Sequence, residues 1–158
     1  MKRYFLFFVI MTCSILYAQK DTVLVPGFYE SGGVAPDNYG TLNTAVEAAI
    51  TNGTINNTVF KLTSYDVYVL NRSIYIDHGQ SLELYADKPL RAGDSDPQTV
   101  QNSAPPQVVW TEEGIDRAYM IQTYGDIKAQ NIWFRMCDFL GGKLQTAITF
   151  ENQAEAAF

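Results

Sequence analysis

Cysteine and histidine are nearly missing: the 158 residues hold two of the first and one of the second. A metal centre built from several Cys and His ligands is thereby excluded. Positive charge is also short, with 11 Lys and Arg against 17 Asp and Glu and a formal net charge of −6. Nucleic acid is not an expected partner, because affinity for a phosphate backbone needs clustered basic residues. Long hydrophobic runs are absent save one, and that one opens the chain.

Lys2 and Arg3 stand before the apolar run Tyr4–Met11, which continues through Ile15, Leu16 and Tyr17 and closes at Ala18-Gln19. A basic start, a short greasy centre and a small residue before a polar one predict a secretory signal peptide, residues 1–18. The run falls short of the roughly 20 apolar residues of a membrane-spanning helix. Cys13 lies inside the run behind Thr12, so ordinary cleavage after Ala18 is expected rather than lipoprotein processing. The product is secreted or displayed at the cell surface, with no membrane span in the mature chain. Losing Lys2 and Arg3 leaves 9 basic against 17 acidic residues, a charge of −8. Such a chain repels polyanionic sugars unless a cation bridges them or a local basic groove overrides the net field. Cys137 is the only cysteine left, so no internal disulfide can form, and it is expected as an apolar filler. The remaining 140 residues suffice for one domain with a packed core.

Residues 19–40 begin with a strand-like Thr22–Val25 and continue as a loop rich in Gly, Pro, Asp and Asn. "TLNTAVEAAI", residues 41–50, reads as a helix. Thr41 is the expected N-cap, Leu42, Ala45, Val46, Ala49 and Ile50 share a face, and Asn52-Gly53 supplies the stop. Its outer face carries only Glu47 as a charge, so it should act as a lid. Beyond it the period drops to 2. Phe60 and Leu62, Val67 and Val69, Ile74 and Ile76, then Leu82, Leu84 and Ala86 alternate with more polar neighbours. Val109, Met120, Ile127 and Ala129, then Ile132 and Phe134, continue the pattern. These are strands of about four residues with almost no hairpin turn signals between them. Residues 87–106 are polar, contain Pro and lack a period, which predicts a surface loop.

"IDHGQSLELYA" (76–86) and "IQTYGDIKAQNIWF" (121–134) share an order of strand, polar step, Gly, polar residue, strand. Gly79 and Gly125 are 46 positions apart, or 26 once the 20-residue loop 87–106 is set aside. That spacing fits a repeat unit of a solenoid, in which each rung hydrogen-bonds to its neighbours and buries its face only by stacking. The helix "TLNTAVEAAI" followed by "VFKL", "SIYIDHGQSLELYA", "PPQVVW" and "GDIKAQNIWF" resembles the start of the right-handed parallel β-helix proteins of the pectin-lyase-like superfamily. The resemblance covers residues 41–158. It implies an all-β fold, a right-handed parallel β-helix (solenoid) with a short N-terminal capping α-helix plugging the open end. It implies little chemistry, since families with this fold mostly bind or cleave polysaccharides and no catalytic signature of a lyase or hydrolase branch is present. After Phe150 the sequence shows no amphipathic or polar terminal rung, so residues 41–158 read as the first rungs of a longer protein, with a small closed domain as the alternative.

Parity places Tyr68, Tyr75, Asp77, Glu83, Tyr85, Lys128, Trp133 and Arg135 on the outside. Tyr75, Tyr85 and Trp133 would form an aromatic strip for stacking sugar rings, with Glu83, Lys128 and Arg135 bonding hydroxyls or a carboxylate. The same residues also read as cross-rung aromatic and ion pairs. The expected partner is a polysaccharide or cell-surface glycan, bound without catalysis and without a cofactor. The competing reading is a polysaccharide lyase or glycoside hydrolase whose catalytic rungs lie beyond residue 158; a third is a structural spacer. Arg135, Lys128 and Asp126 could be cast in an elimination, and Asp77 and Glu83 as a glycosidase pair, but no spacing requires either. Asp94 and Asp96 in "GDSDP" do not continue into a calcium loop, so no metal site is expected. His78 reads as a turn residue. Asn52, Asn56 and Asn71 begin glycosylation patterns.

Overall fold

The computed structural model of the protein describes residues 19–88, 104–111, 119–138 and 146–150. The expected leader 1–18, the Asp94/Asp96 pair, most of the 87–106 loop, the residues after Phe150 and the side chain of Cys137 lie outside the described residues. In chain order the elements are β1 (Asp21–Val25), α1 (Thr41–Thr51), a short 3-10 turn (Ile55–Asn57), β2 (Thr58–Leu62), β3 (Val67–Leu70) and β4 (Ile74–Ile76). They continue with β5 (Ser81–Ala86), β6 (Gln107–Trp110), β7 (Tyr119–Thr123), β8 (Asp126–Gln130), β9 (Trp133–Asp138) and β10 (Thr146–Phe150). No described helix is long and apolar enough to cross a membrane.

Among the described residues every strand pair is parallel. The strands form three sheets: a first of order β1-β2-β5-β8, a second of order β3-β6-β9 and a third of order β10-β7-β4. From β2 onward the chain visits first, second and third sheet in turn, three times over. Parallel neighbours cannot be joined by two-residue hairpins, which is why hairpin signals are missing from the sequence. Val59 lies opposite Glu83, 24 residues on, and Gln107 opposite Trp133, 26 residues on. Leu82 lies opposite Ile127, and both belong to one core.

That core takes Phe60 and Leu62 from β2, Leu70 from β3, Ile74 and Ile76 from β4, and Leu82 and Leu84 from β5. Each fully buried aliphatic side chain of this kind contributes roughly 1.5–3 kcal/mol. Leu42 and Val46 of α1 are buried in the same cluster, so the helix closes one end of it. At the other end burial declines: Ile127 is half-buried and Ala129 exposed.

The helix starts differently from the expectation. Gly40, not Thr41, is the N-cap, with φ of 73° and no side-chain cap bond. Gly40 N–H donates to Val69 C=O at 2.7 Å, and a Cβ there would lie 2.3 Å from Asn71 Nδ2. The positive φ strains Thr or Ser at the cap, and the Asn71 amide would have to move aside for either. The stop is as expected. Gly53 N–H donates to Ile50 C=O and Thr54 N–H to Ala49 C=O, the paired bonds of a Schellman ending. Asn43, buried in the helix, donates from Nδ2 to Arg72 C=O at 2.8 Å and accepts from Asn71 N–H at 3.2 Å. Glu47 clamps the same corner through a two-pronged contact with the Arg72 guanidinium. That carboxylate lifts the Arg72 pKa above its ordinary value.

Parity fails in β3. Tyr68 was expected outside with Val67 and Val69 inside, but Tyr68 is fully buried in the main core. Val69 joins Phe28 and Val109 in a second, smaller cluster, with Tyr39 and Val67 against it. The loop 26–40 causes this, for Phe28 N–H donates to Val67 C=O and covers the other side of the strand. A strand covered on both faces reads as a continuous apolar run, and its parity is ambiguous. Val109 is misassigned for the same reason. The Tyr68 hydroxyl donates to Val25 C=O at 3.0 Å and accepts from Thr63 N–H at 2.7 Å.

Burial pushes the Tyr68 phenol from its ordinary pKa of 10.0 up to about 12. Below pH 10 the group is neutral folded and unfolded, so the contribution is intact. Above it the unfolded chain ionises first, and stability falls as pH rises through the folded value. A loss of roughly 2–3 kcal/mol is expected from this group by the top of that window. Urea titrations at a series of pH values from 8 upward measure it; Tyr68→Phe, less stable at neutral pH, should lack this alkaline component.

Candidate functional site

The six residues expected to bind a ligand are divided among the three sheets. Glu83 and Tyr85 stand on β5 and Lys128 on β8, all in the first sheet; Trp133 and Arg135 are on β9 in the second; Tyr75 is on β4 in the third. Tyr75, Tyr85 and Trp133 therefore do not share one strip.

In the first sheet Glu83 lies directly opposite Lys128. Its carboxylate also takes the Lys20 ammonium, at 2.8 Å to Lys20 and 2.5 Å to Lys128. The Lys128 hydrogen bond, then the Lys20 one, holds the Glu83 carboxyl below its usual range. Lys61 lies opposite Tyr85 and pairs with Asp87 at 2.8 Å, while the Tyr85 hydroxyl donates to Asp87 Oδ1 at 3.2 Å. The Lys61–Asp87 hydrogen bond lowers the Asp87 pKa and raises the Lys61 pKa. In the second sheet Arg135 donates to Gln107 Oε1 at 2.9 Å, and Trp133 is 54% exposed. The charged candidates thus spend hydrogen bonds on neighbouring strands, as cross-strand pairs do.

Tyr75 has different company. It is 47% exposed, lies opposite Gln122 and meets Tyr124 with ring centroids 5.6 Å apart at 58°. His78 completes the group, 5.1 Å from Tyr124 at 45°. Two stacked corners make this arrangement: residues 77–80 between β4 and β5, and residues 124–125 between β7 and β8. Tyr124 N–H donates to Ile76 C=O at 2.8 Å and Asp126 N–H to Gln80 C=O at 3.0 Å. His78 is in the turn, as expected, with its backbone N–H donating to Asp77 Oδ1 at 2.7 Å. Tyr124 was missed. Corner residues carry no period, and its contact with His78 spans 46 positions, so only the parallel register of the strands on either side could have pointed to it.

Three rings on one corner, with Asp77 and Asp126 exposed beside them in sequence, offer ring faces and carboxylates at the surface. They do not constitute a metal centre. Among the described residues no group of three or more His, Cys, Asp or Glu side chains comes together. Of the glycosylation patterns, Asn52 is exposed at the helix end, whereas the Asn56 amide is engaged with Gly79 C=O and Ser81 N–H. No protein-family model, curated protein or solved structure gives a significant match to this chain.

Proposed function

We propose that the chain is an exported right-handed parallel β-helix module of the pectin-lyase-like type that contacts glycans without catalysis, using the corner formed by Tyr75, Tyr124 and His78. The fold reading is supported by three all-parallel sheets visited in rotation, together with the strong right-handed preference of parallel crossovers. The observation that carries the function is the ring cluster on two stacked corners, in which Tyr75 and His78 are exposed and Tyr124 half-buried. Pyranose rings present C–H faces that pack on aromatic faces, and flanking polar groups bond their hydroxyls.

Glycan-array and affinity-gel binding of the exported chain test this. Tyr75→Ala combined with Tyr124→Ala is expected to weaken binding ~5-fold or more, since each lost stacking contact is worth roughly 0.5–1.5 kcal/mol. Circular dichroism verifies that the fold survives. Loss on Tyr85→Ala or Trp133→Ala instead would move the site to another sheet. Unsaturated products or new reducing ends from pectate, alginate or neutral glycans would replace this reading with a lyase or hydrolase. Binding to nothing would leave a structural spacer.

A further inference from the structure

The corner has a chemical bias that sharpens the ligand class. Asp77 immediately precedes His78, and Asp126 follows Tyr124 by two residues on the rung stacked against it. Both are exposed. Asp77 uses Oδ1 on the neighbouring His78 N–H. Among the described residues, neither its Oδ2 nor the Asp126 carboxylate is engaged by a lysine or arginine, unlike Glu47, Glu83 and Asp87. Among the described residues Glu47, Glu83 and Asp87 carry cations, whereas the two carboxylates of this corner, like those of Asp21 and Asp37, carry none and adjoin aromatic rings in sequence. Tyr ring faces attract ammonium groups, and carboxylates without a counter-ion add to that attraction, whereas both features repel a uronate.

We infer that the Tyr75–Tyr124–His78 corner, with Asp77 and Asp126, is a binding site for amine-bearing sugars, glucosamine units in place of neutral or acidic ones. This rests on the glycan reading above. The protonated 2-amino group sits against the carboxylates while its pyranose ring packs on Tyr75 and Tyr124. The excess of acidic residues over the whole chain favours approach of such a ligand.

The test is calorimetry of the exported chain with three short probes: a glucosamine tetramer, an N-acetylglucosamine tetramer and tetralysine. The glucosamine tetramer is expected to bind ~10-fold tighter than its acetylated counterpart, a preference that salt reduces. Asp77→Asn with Asp126→Asn, which keeps the Oδ1 acceptor for His78 N–H, should bring that ratio close to one. Asp21→Asn with Asp37→Asn removes the same charge from other segments and should leave the ratio as it was. Equal binding of the two sugars would overturn the amine preference and leave glycan binding standing. A ratio that falls equally in both double variants would reduce it to general charge attraction and overturn the site. Tighter binding of tetralysine than of the glucosamine tetramer would make the corner a site for basic peptides instead. If no sugar binds, both readings fail together.

Discussion

Gly125→Ala is expected to destabilise the protein by about 3 kcal/mol or more, the cost of forcing extra volume where packing is closest. A Cβ at this position would lie 2.1 Å from Gln80 O and 2.6 Å from Asp77 O. Both are backbone atoms, and both are in use: Gln80 C=O accepts from Asp126 N–H and Asp77 C=O from Gln80 N–H. Neither can retreat without loosening the link between the two stacked corners. The Thr123 hydroxyl fixes the corner from the other side, donating to Gly125 C=O at 2.9 Å and accepting from Gly125 N–H at 3.0 Å. Gly79 is the informative comparison. It has φ of 74° and open space around its Cβ position, so Gly79→Ala should cost only the left-handed backbone penalty of roughly 1–2 kcal/mol. Urea unfolding of the two variants separates close approach from backbone conformation. Equal costs would mean that the corners are not stacked as tightly as described. Because Tyr124 and His78 meet only through this stacking, Gly125→Ala should also disturb the ring cluster.

The two glycines show how far the sequence could be read. Both mark corners, but the sequence alone suggests one reason, positive φ, and only Gly79 has it. Gly125 is needed because the backbone of Asp77 and Gln80 lies against it, a fact visible only once segments some 46 positions apart are brought together. Strands with one covered face were legible. In Ser81–Ala86 the pattern of Leu82, Leu84 and Ala86 buried between more exposed neighbours follows the alternation of the letters. Val67–Leu70 and Gln107–Trp110 were not, since the second sheet is apolar on both sides where Phe28 and Tyr39 cover it. Asn131, at the corner between β8 and β9, is a middle case. Its polarity flags a turn, but its φ of 59° and its bond from Nδ2 to Ala86 C=O at 2.9 Å belong to the stacked structure. The candidate site divides in the same way. Tyr75 is placed outside by the alternation of Ile74 and Ile76 around it, whereas Tyr124 lies between strands where alternation has stopped. Glu83 and Lys128 were recognisable as either ligands or a pair. Lys20 could not be added to them without the register that carries the first sheet from β1 to β8.

Asp66→Ala is expected to cost about 3 kcal/mol, because it leaves three partly buried backbone donors without their acceptor. Asp66 is 4% exposed and sits at the corner between β2 and β3. Its Oδ1 accepts from Tyr29 N–H at 2.9 Å and Val67 N–H at 2.7 Å, and its Oδ2 accepts from Glu30 N–H at 3.1 Å. One side chain thus ties the loop 26–40 to the start of β3. Gly27 makes room for it, since a Cβ there would lie 2.2 Å from Asp66 Cγ. The carboxylate also explains how a loop so rich in Gly, Pro and Asn can shield Val69 and Val109. Without it Phe28 loses the anchor that holds it over the second cluster. Asp66→Asn is the graded variant: the amide keeps the Oδ1 acceptor but presents donors towards Glu30 N–H. It should cost about half as much as the alanine change. Urea unfolding gives the totals, and hydrogen exchange at Tyr29, Glu30 and Val67 locates them. Faster exchange at these amides, with β5 and β7 still protected, is the expected pattern. A cost below about 1 kcal/mol for Asp66→Ala, the value of one ordinary hydrogen bond, would show that the loop is held by Phe28 packing instead.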